Sequence, residues 1–392
     1  MKKDIKNAAD KMEEIMTILS NDIFVERESE IRGIALALIA RTNVLLLGEP
    51  GVAKSLLVTA WQKHVKDTKY FEWLLNPFTT PDEIAGHISL KSLEQDSFKR
   101  TVSNTVNDAH FAFLDEFWKS NGGVINHLLP LMNERVYYND GKRQKAPLLT
   151  LIGASNELPE PEDHLDAALD RFVLKFQVKT IKERSNWIVM AKRFLDWSSR
   201  DLPPKEMISL EELNILQDAI KDVEISDGIL TLLLDIKNAL EKDGNGVFVS
   251  PRVFNNSLRI IQASAVLRGS MVAEEEDLGI IKHTFWKDPA HENIIWREVL
   301  EKTFPDRAKA EEIKAEIDEI YLEYEKLAKE TNTEVLPKIL TLITSLKRCK
   351  NTLISIKKDI VEKRKPSKFI TQYLEDLNFK MRTIQQERLI ED

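Results

Sequence analysis

Apolar residues follow two kinds of pattern along the 392 residues of this chain. In the first half, short apolar runs without a period alternate with helical segments. The runs are residues 43–47 (NVLLL), 110–114 (HFAFL), 148–154 (LLTLIGA) and 172–178 (FVLKFQV). A run that short, without alternation, fits a strand buried on both faces. Strands alternating with helices build a parallel sheet covered on both sides, so residues 1–185 read as an α/β domain.

From 186 to 295 the signals are helical throughout. Ser209 and Glu212 have the spacing of a capping box at the head of a helix running towards Val223. Residues 227–241 read as a second helix, ended by Gly244 and Gly246. A third begins at Ser250 and Pro251, with Phe254, Leu258, Ile261 and Ala265 on one face. Residues 296–392 carry three stripes near a 3.5-residue period. The first is Ile313, Ile317, Ile320, Tyr324 and Leu327. The second runs from Ile339 through Leu342, Leu346, Cys349, Leu353 and Ile356 to Ile360, and the third is Leu374, Leu377, Met381 and Ile384. Three stripes fold most simply as an antiparallel three-helix bundle. All 13 glycines lie at or before Gly279, and Pro305, Pro337 and Pro366 punctuate the rest, as expected of long helices with Pro in their first turns.

Composition narrows the function classes. A net charge of −8 argues against a general nucleic-acid coat, which needs a basic field. One cysteine excludes an intrachain disulfide and a Cys-based zinc cluster, and fits a reducing, cytoplasmic setting. Cys349 lies in an apolar stripe and reads as a buried structural thiol. No apolar run approaches the roughly 20 residues of a membrane span. Residues 1–24 mix Lys, Asp and Glu among their apolar positions, unlike a secretory signal.

The candidate chemistry lies where predicted strands end. The run NVLLL leads into GEPGVAKS (Gly48, Glu49, Pro50, Gly51, Val52, Ala53, Lys54, Ser55), followed by a helix beginning with Leu56. This is the phosphate-loop pattern with Ala53 in place of its second glycine. Gly48 and Gly51 let the backbone curl with N–H groups inward, and the helix start offers its positive end to phosphate. Lys54 would neutralise phosphate oxygens and Ser55 would join a magnesium shell. Asp115 and Glu116 end the run HFAFLDE, at the end of a parallel strand where ligands bind. There Asp115 would hold the metal through water and Glu116 would polarise the attacking water. Asn156 follows the third run and would bond the same water or the γ-phosphate, though Asn after a strand is also an ordinary turn residue. Arg171 lies between a short helix near residues 163–169 and the fourth strand, where an exposed ion pair with Asp170 is the plainer reading. Arg252 falls in the first turn of a helix, where a cation opposes the dipole by roughly 0.3–1 kcal/mol. A phosphate nearby would offset that, which makes Arg252 a nucleotide-sensor candidate; a solvated arginine is the alternative.

These residues resemble the MoxR group of AAA+ ATPases, most closely the regulatory ATPase variant A (RavA) type. The matching features run in order: Phe24-Val25-Glu26-Arg27, GEPGVAKS, the TTPDEIAG stretch ending at Gly86, FLDE, NERVYYNDG from Asn133, GASNE, LDRF, and SPR followed by IQASA. They span about residues 20–290, and alanine before the Walker lysine is usual in this group. The resemblance implies a P-loop AAA+ core over 1–185, an all-α lid over 186–295, and a C-terminal helical bundle over 296–392. It makes Lys54 and Ser55 Walker A, Asp115 and Glu116 Walker B, Asn156 sensor 1 and Arg252 sensor 2. Arg171 becomes the arginine finger that reaches a neighbouring subunit's nucleotide, with Arg135 a second candidate for that role. Phe24 and Val25 would contact adenine, or equally staple the first helix. Residues 86–102 fit the β-hairpin this clade inserts into helix 2, facing a channel or partner, or simply the surface.

The resemblance further implies ATP and Mg2+ as cofactors and a homo-hexamer. It implies chaperone-like remodelling of a protein client beside a von Willebrand A domain protein. The small α+β docking module of the RavA type is not expected, because the tail is accounted for by helices. A nucleotide-gated assembly scaffold and a nucleic-acid motor are the alternatives; the acidic balance and the lack of a basic-aromatic platform count against the motor.

Overall fold

The computed structural model describes residues 1–159, 165–195, 204–242, 246–328, 335–362 and 368–388. Asp163, Gly244 and Pro366, on which the sequence reading drew, lie outside the described residues. The chain divides into two compact units, Met1–Trp296 and Arg297–Asp392.

Seven strands are described in the first unit: β1 (Asn43–Leu47), β2 (Tyr70–Leu74), β3 (Phe111–Asp115), β4 (Val136–Asn139), β5 (Lys142–Lys145), β6 (Thr150–Ser155) and β7 (Phe172–Gln177). Five of them form a parallel sheet in the order β2-β3-β6-β1-β7, and β4 and β5 form a separate antiparallel hairpin. β1 lies between β6 and β7 and is buried along its whole length, which is why its sequence is apolar without alternation. β2 was not expected. It is an edge strand, with Phe71 buried and Glu72 exposed, and its mixed sequence YFEWL lacks the apolar run of a central strand. The polar residues that begin the buried strands are satisfied: Asn43 donates to the Met132 and Arg171 carbonyls at 3.0 Å, and Thr150 to the Thr42 carbonyl at 2.7 Å.

The helical part of this unit includes an N-terminal helix, Lys3–Ile18, that buries Ile5, Ala8, Met12 and Ile15 and packs on helices Leu210–Ala219 and Pro251–Leu267. The Ser209–Glu212 capping box is present in both directions, at 2.8 and 3.2 Å. The buried face of Pro251–Leu267 only partly matches the expected stripe: Ile261 and Ala265 are buried as expected, but so are Val253, Ser257, Ile260 and Ser264, whereas Phe254 and Leu258 are only partly buried. Serines disguised that face. Ser257 satisfies its hydroxyl on the Val253 carbonyl at 2.7 Å, and Arg32 donates to Ser264 at 3.2 Å.

Residues 86–102 are not a β-hairpin. A single antiparallel bridge joins Ile88 to Arg100, and Leu90–Leu93 is a helical turn. Leu90 and Phe98 are exposed, so no buried face holds a longer ladder in register.

The second unit contains three long helices, Pro305–Leu327, Val335–Glu362 and Lys368–Arg388, with Pro305 opening the first. Its core gathers Ile317, Tyr324, Leu346, Cys349, Leu353, Leu377 and Ile384, drawn from all three stripes. Lys314 pairs with Asp376, and Asp318, one turn on, pairs with Lys380, also one turn on. The first and third helices therefore run parallel, as an up-down-up bundle requires. Cys349 is buried there. Among the described residues, no helix is long and apolar enough to cross a membrane.

Candidate functional site

The sheet has two chemically different ends. At the carboxyl ends of the strands, β1 passes into the loop at Gly48 and then into helix Lys54–Lys63. A Cβ on Gly48 would stand 2.2 Å from the Val178 carbonyl oxygen, so the strand exit closes around a bare backbone. Gly51 has φ +84°, and Ala53 has φ +69°. The missing second glycine therefore sits at a left-handed position, where a Cβ costs roughly 1–2 kcal/mol.

Lys54 is buried. Its ammonium donates to Asn156 Oδ1 at 3.0 Å, to the Glu49 carbonyl at 3.2 Å and to the Gly48 carbonyl. Burial pushes its pKa down, against the pull of Asp115 and Glu116. Asn156 in turn donates through Nδ2 to Glu116 Oε1 at 3.0 Å. Three strand ends are thus joined side chain to side chain: the loop after β1, the residue after β6, and the residue after β3. Lys119 stands 3.2 Å from the other Glu116 oxygen. Glu116 has φ +53°, an uncommon conformation for a side chain of this size, and Asp115 Oδ1 accepts its backbone N–H at 2.9 Å. Ser55 lies half-buried at the start of the helix, and Leu56 is exposed. A cleft of about 360 Å³ opens beside the loop, lined in part by Gly48, Glu49, Val52, Asn156 and Lys179. Phe24 is buried, and neither it nor Val25 lines this cleft.

At the amino ends of the strands lies a second cluster. Asp170 precedes β7; its carboxylate receives Ser250 at 3.3 Å and pairs with Arg252 at 3.7 Å and Lys287 at 3.5 Å. Arg171 follows, donating to the Ala167 carbonyl. Burial and then the nearby Arg252 hold its pKa below the usual arginine range. Phe172 pairs with Asn43 and Gln177 with Leu47, so this cluster and the phosphate loop lie at opposite ends of β1, roughly 13 Å apart along the strand.

Residues 10–218 match the family described as the MoxR domain in the MoxR-vWA-beta-propeller ternary systems, and residues 228–299 match an AAA lid domain. The chain belongs to the MoxR family of AAA+ ATPases. An uncharacterized protein of Methanocaldococcus jannaschii is 38% identical to this MoxR-family chain over 355 residues, 88% of this chain and 90% of that protein. A second uncharacterized protein of that organism is 33% identical over 361 residues, 91% of this chain and 94% of the relative. A crystal structure of a candidate ATPase from Cytophaga hutchinsonii superposes with a TM-score of 0.62 at 18% identity, over 76% of this chain and 96% of its own; it supports the fold.

The MoxR-family core brings Lys54, Asn156, Glu116 and Asp115 to one sheet edge. It does not bring Arg171 or Arg252 there within one chain. Arg135 is a correction. It caps helix Gly122–Glu134 at φ +57°, and its guanidinium donates to Asn43 Oδ1 and to the carbonyls of Leu131, Met132, Arg41 and Leu149. Both terminal nitrogens are bonded within its own chain, so here it serves as a structural tie rather than as a free finger. Two residues escaped the sequence reading: Asp170, which reads as an ordinary acid before Arg, and Arg27, whose contacts join segments far apart in sequence.

Proposed function

We propose that this MoxR-family chain hydrolyses Mg-ATP in a head-to-tail ring, a hexamer by family resemblance, and uses the cycle to remodel a protein client beside a von Willebrand A domain partner. The observation that carries it is the chain of contacts Lys54–Asn156–Glu116 across three strand ends. A buried ammonium whose pKa burial depresses, bonded to two carbonyls and one amide oxygen and paired directly with no carboxylate among the described residues, fits a site built for an anion. Lys54 would hold phosphate oxygens, with the backbone N–H groups of the loop around them. Ser55 and Asp115 would hold Mg2+, which when bound neutralises phosphate charge. Glu116, fixed by Asn156, orients and polarises the attacking water.

Arg171 and Arg252 stand at the opposite sheet edge, out of reach of their own loop. In a head-to-tail assembly they face the next subunit's phosphates, Arg171 as the finger and Arg252 as a second cation serving in trans. The von Willebrand A partner rests on the family description, which names such ternary systems. The RavA-type relationship and a cytoplasmic setting belong to the same proposal; the second unit, with its three long helices, is its surface for client or partner.

Subunit mixing tests it. Lys54→Ala and Arg171→Ala preparations each lose ATP hydrolysis, and the mixture regains a measurable share, because an intact loop then meets an intact finger. Normal hydrolysis by Arg171→Ala alone would overturn the trans assignment.

A further inference from the structure

Glu26 and Arg27 lie outside every role assigned above, yet together they touch both the phosphate loop and a distant helix. Arg27 is buried, with 7% of its surface exposed. Its guanidinium donates to the Lys179 carbonyl at 2.6 Å, the Val52 carbonyl at 3.3 Å and the Glu26 carbonyl at 2.6 Å. Val52 belongs to the phosphate loop and Lys179 to the segment leaving β7; both line the cleft. Arg27 therefore fixes the separation of two cleft walls from behind.

Glu26 faces the other way. It has φ +54°, a left-handed conformation. That carboxylate accepts from the backbone N–H groups of Lys182 at 2.8 Å and Glu183 at 3.0 Å, and from Asn186 Nδ2 at 2.8 Å. These donors lie at the start of helix Arg184–Leu195, whose unpaired N–H groups and positive end favour a carboxylate. Burial pushes the Glu26 pKa up, but the bonds from Asn186, Lys182 and Glu183 outweigh it and hold the group below its usual value. The helix is tied back as well: Arg193, near its other end, donates to the Phe24 carbonyl at 2.6 Å and to the Asn21 carbonyl. No residue of this helix is buried, so these polar ties, not an apolar face, set its place.

We propose that Glu26 and Arg27 are positioning residues that carry the state of the phosphate loop to helix Arg184–Leu195: Arg27 senses the spacing of Val52 and Lys179, and Glu26 passes it to the helix start. The inference rests on the nucleotide-site reading above. A ligand that widens or narrows the cleft moves the two carbonyls that Arg27 bridges. The adjacent peptide transmits that movement, because the Glu26 carbonyl is held by Arg27 while its carboxylate is held by the helix start.

The test is hydrogen exchange of the full chain with and without Mg-ATPγS, read over residues 184–195, together with the nucleotide Kd from calorimetry. In the parent chain, nucleotide changes the protection of this helix. Glu26→Gln keeps the Kd within about threefold but removes most of that change, since a single amide oxygen cannot serve three donors. Arg27→Ala weakens binding roughly tenfold or more and also removes the response; Arg27→Lys, the variant to use should the alanine protein fail to fold, recovers part of both. A nucleotide response in Glu26→Gln equal to that of the parent overturns the inference. So does a parent chain that binds nucleotide with no change in the helix, and in that case the nucleotide-site reading survives. A parent chain that does not bind at all overturns that reading and this inference with it.

Discussion

The two ends of the parallel sheet carry opposite kinds of incompleteness. The carboxyl end presents a buried cation, two carboxylates and an amide already connected to one another, with Lys54, Asn156 and Glu116 in direct contact. The amino end presents Arg171 and Arg252 gathered around Asp170, with no phosphate loop near them. One end is organised for an anion around a buried lysine; the other gathers two arginines away from that loop. The difference teaches that a strand only a few residues long is enough to separate these arginines from their own phosphate loop, a gap that the proposed ring would close. No side chain spans that distance.

Breaking the carboxyl end gives the largest effect. Lys54→Ala removes both the charge on phosphate and the contact that fixes Asn156. Nucleotide binding by calorimetry should fall at least a hundredfold, by analogy with other charge-assisted contacts in dry sites. Glu116→Gln separates binding from chemistry: nucleotide is held, while turnover drops by about a hundred- to a thousandfold. Tight binding by Lys54→Ala would mean the cleft is not read by this lysine.

Breaking the amino end comes next. Arg171→Ala should lower kcat by about a thousandfold, the lower bound for an arginine finger, and leave nucleotide affinity of the dilute, dissociated chain unchanged. Arg252→Ala should cost less, on the order of tenfold, because Asp170 already engages that guanidinium. A loss of affinity in the dissociated chain for either variant would place that arginine on its own loop after all.

How much of this was legible follows the same geometry. The carboxyl end was readable because each of its residues follows directly on a short apolar run, and the run fixes where the strand stops: Leu47, Asp115 and Ser155 end β1, β3 and β6. The bundle was readable because Ile317, Leu346 and Leu377 recur with a helical period and are buried. The amino end was not. Arg135 and Arg171 look alike in sequence, and only the carbonyls of Leu131, Met132, Arg41 and Leu149 converging on Arg135 mark it as structural. The edge strand β2 and the serine-bearing part of the buried face of Pro251–Leu267 escaped for one reason: a half-exposed aromatic and a serine bonded to its own helix carry no apolar signal.

Between the ends, Lys175 offers a sharper probe of how β7 holds the helices beyond it. It is fully buried, donates to the Phe172 and Thr284 carbonyls at 3.0 Å, and lies 5.8 Å from the Trp286 ring centroid. Burial pushes its pKa down to about 7, against Asp170 and with Lys287. A lysine depressed in the folded state binds its proton more tightly when unfolded, so it adds stability as pH rises from about 7 towards its ordinary value of 10.5. Chemical denaturation at pH 7 and pH 9 should show the parent gaining on Lys175→Met over that interval. A constant difference between the two proteins would mean that Lys175 titrates normally.

The smallest effect concerns Ala53, where the phosphate loop departs from its own pattern. At φ +69° alanine pays a steric cost that glycine does not, roughly 1–2 kcal/mol. Glycine returns part of it by loosening the unfolded chain, by about 0.5–1 kcal/mol. Ala53→Gly should therefore stabilise the nucleotide-free protein by no more than about 1.5 kcal/mol, seen as a small rise in denaturation midpoint at unchanged slope. Alanine and glycine would differ most if nucleotide binding demanded a change at residue 53. Equal nucleotide affinity in parent and variant, beside the small gain in stability, would show that the left-handed turn is already set before phosphate arrives. A destabilised Ala53→Gly protein would mean that the alanine methyl packs against the loop more strongly than its backbone conformation costs.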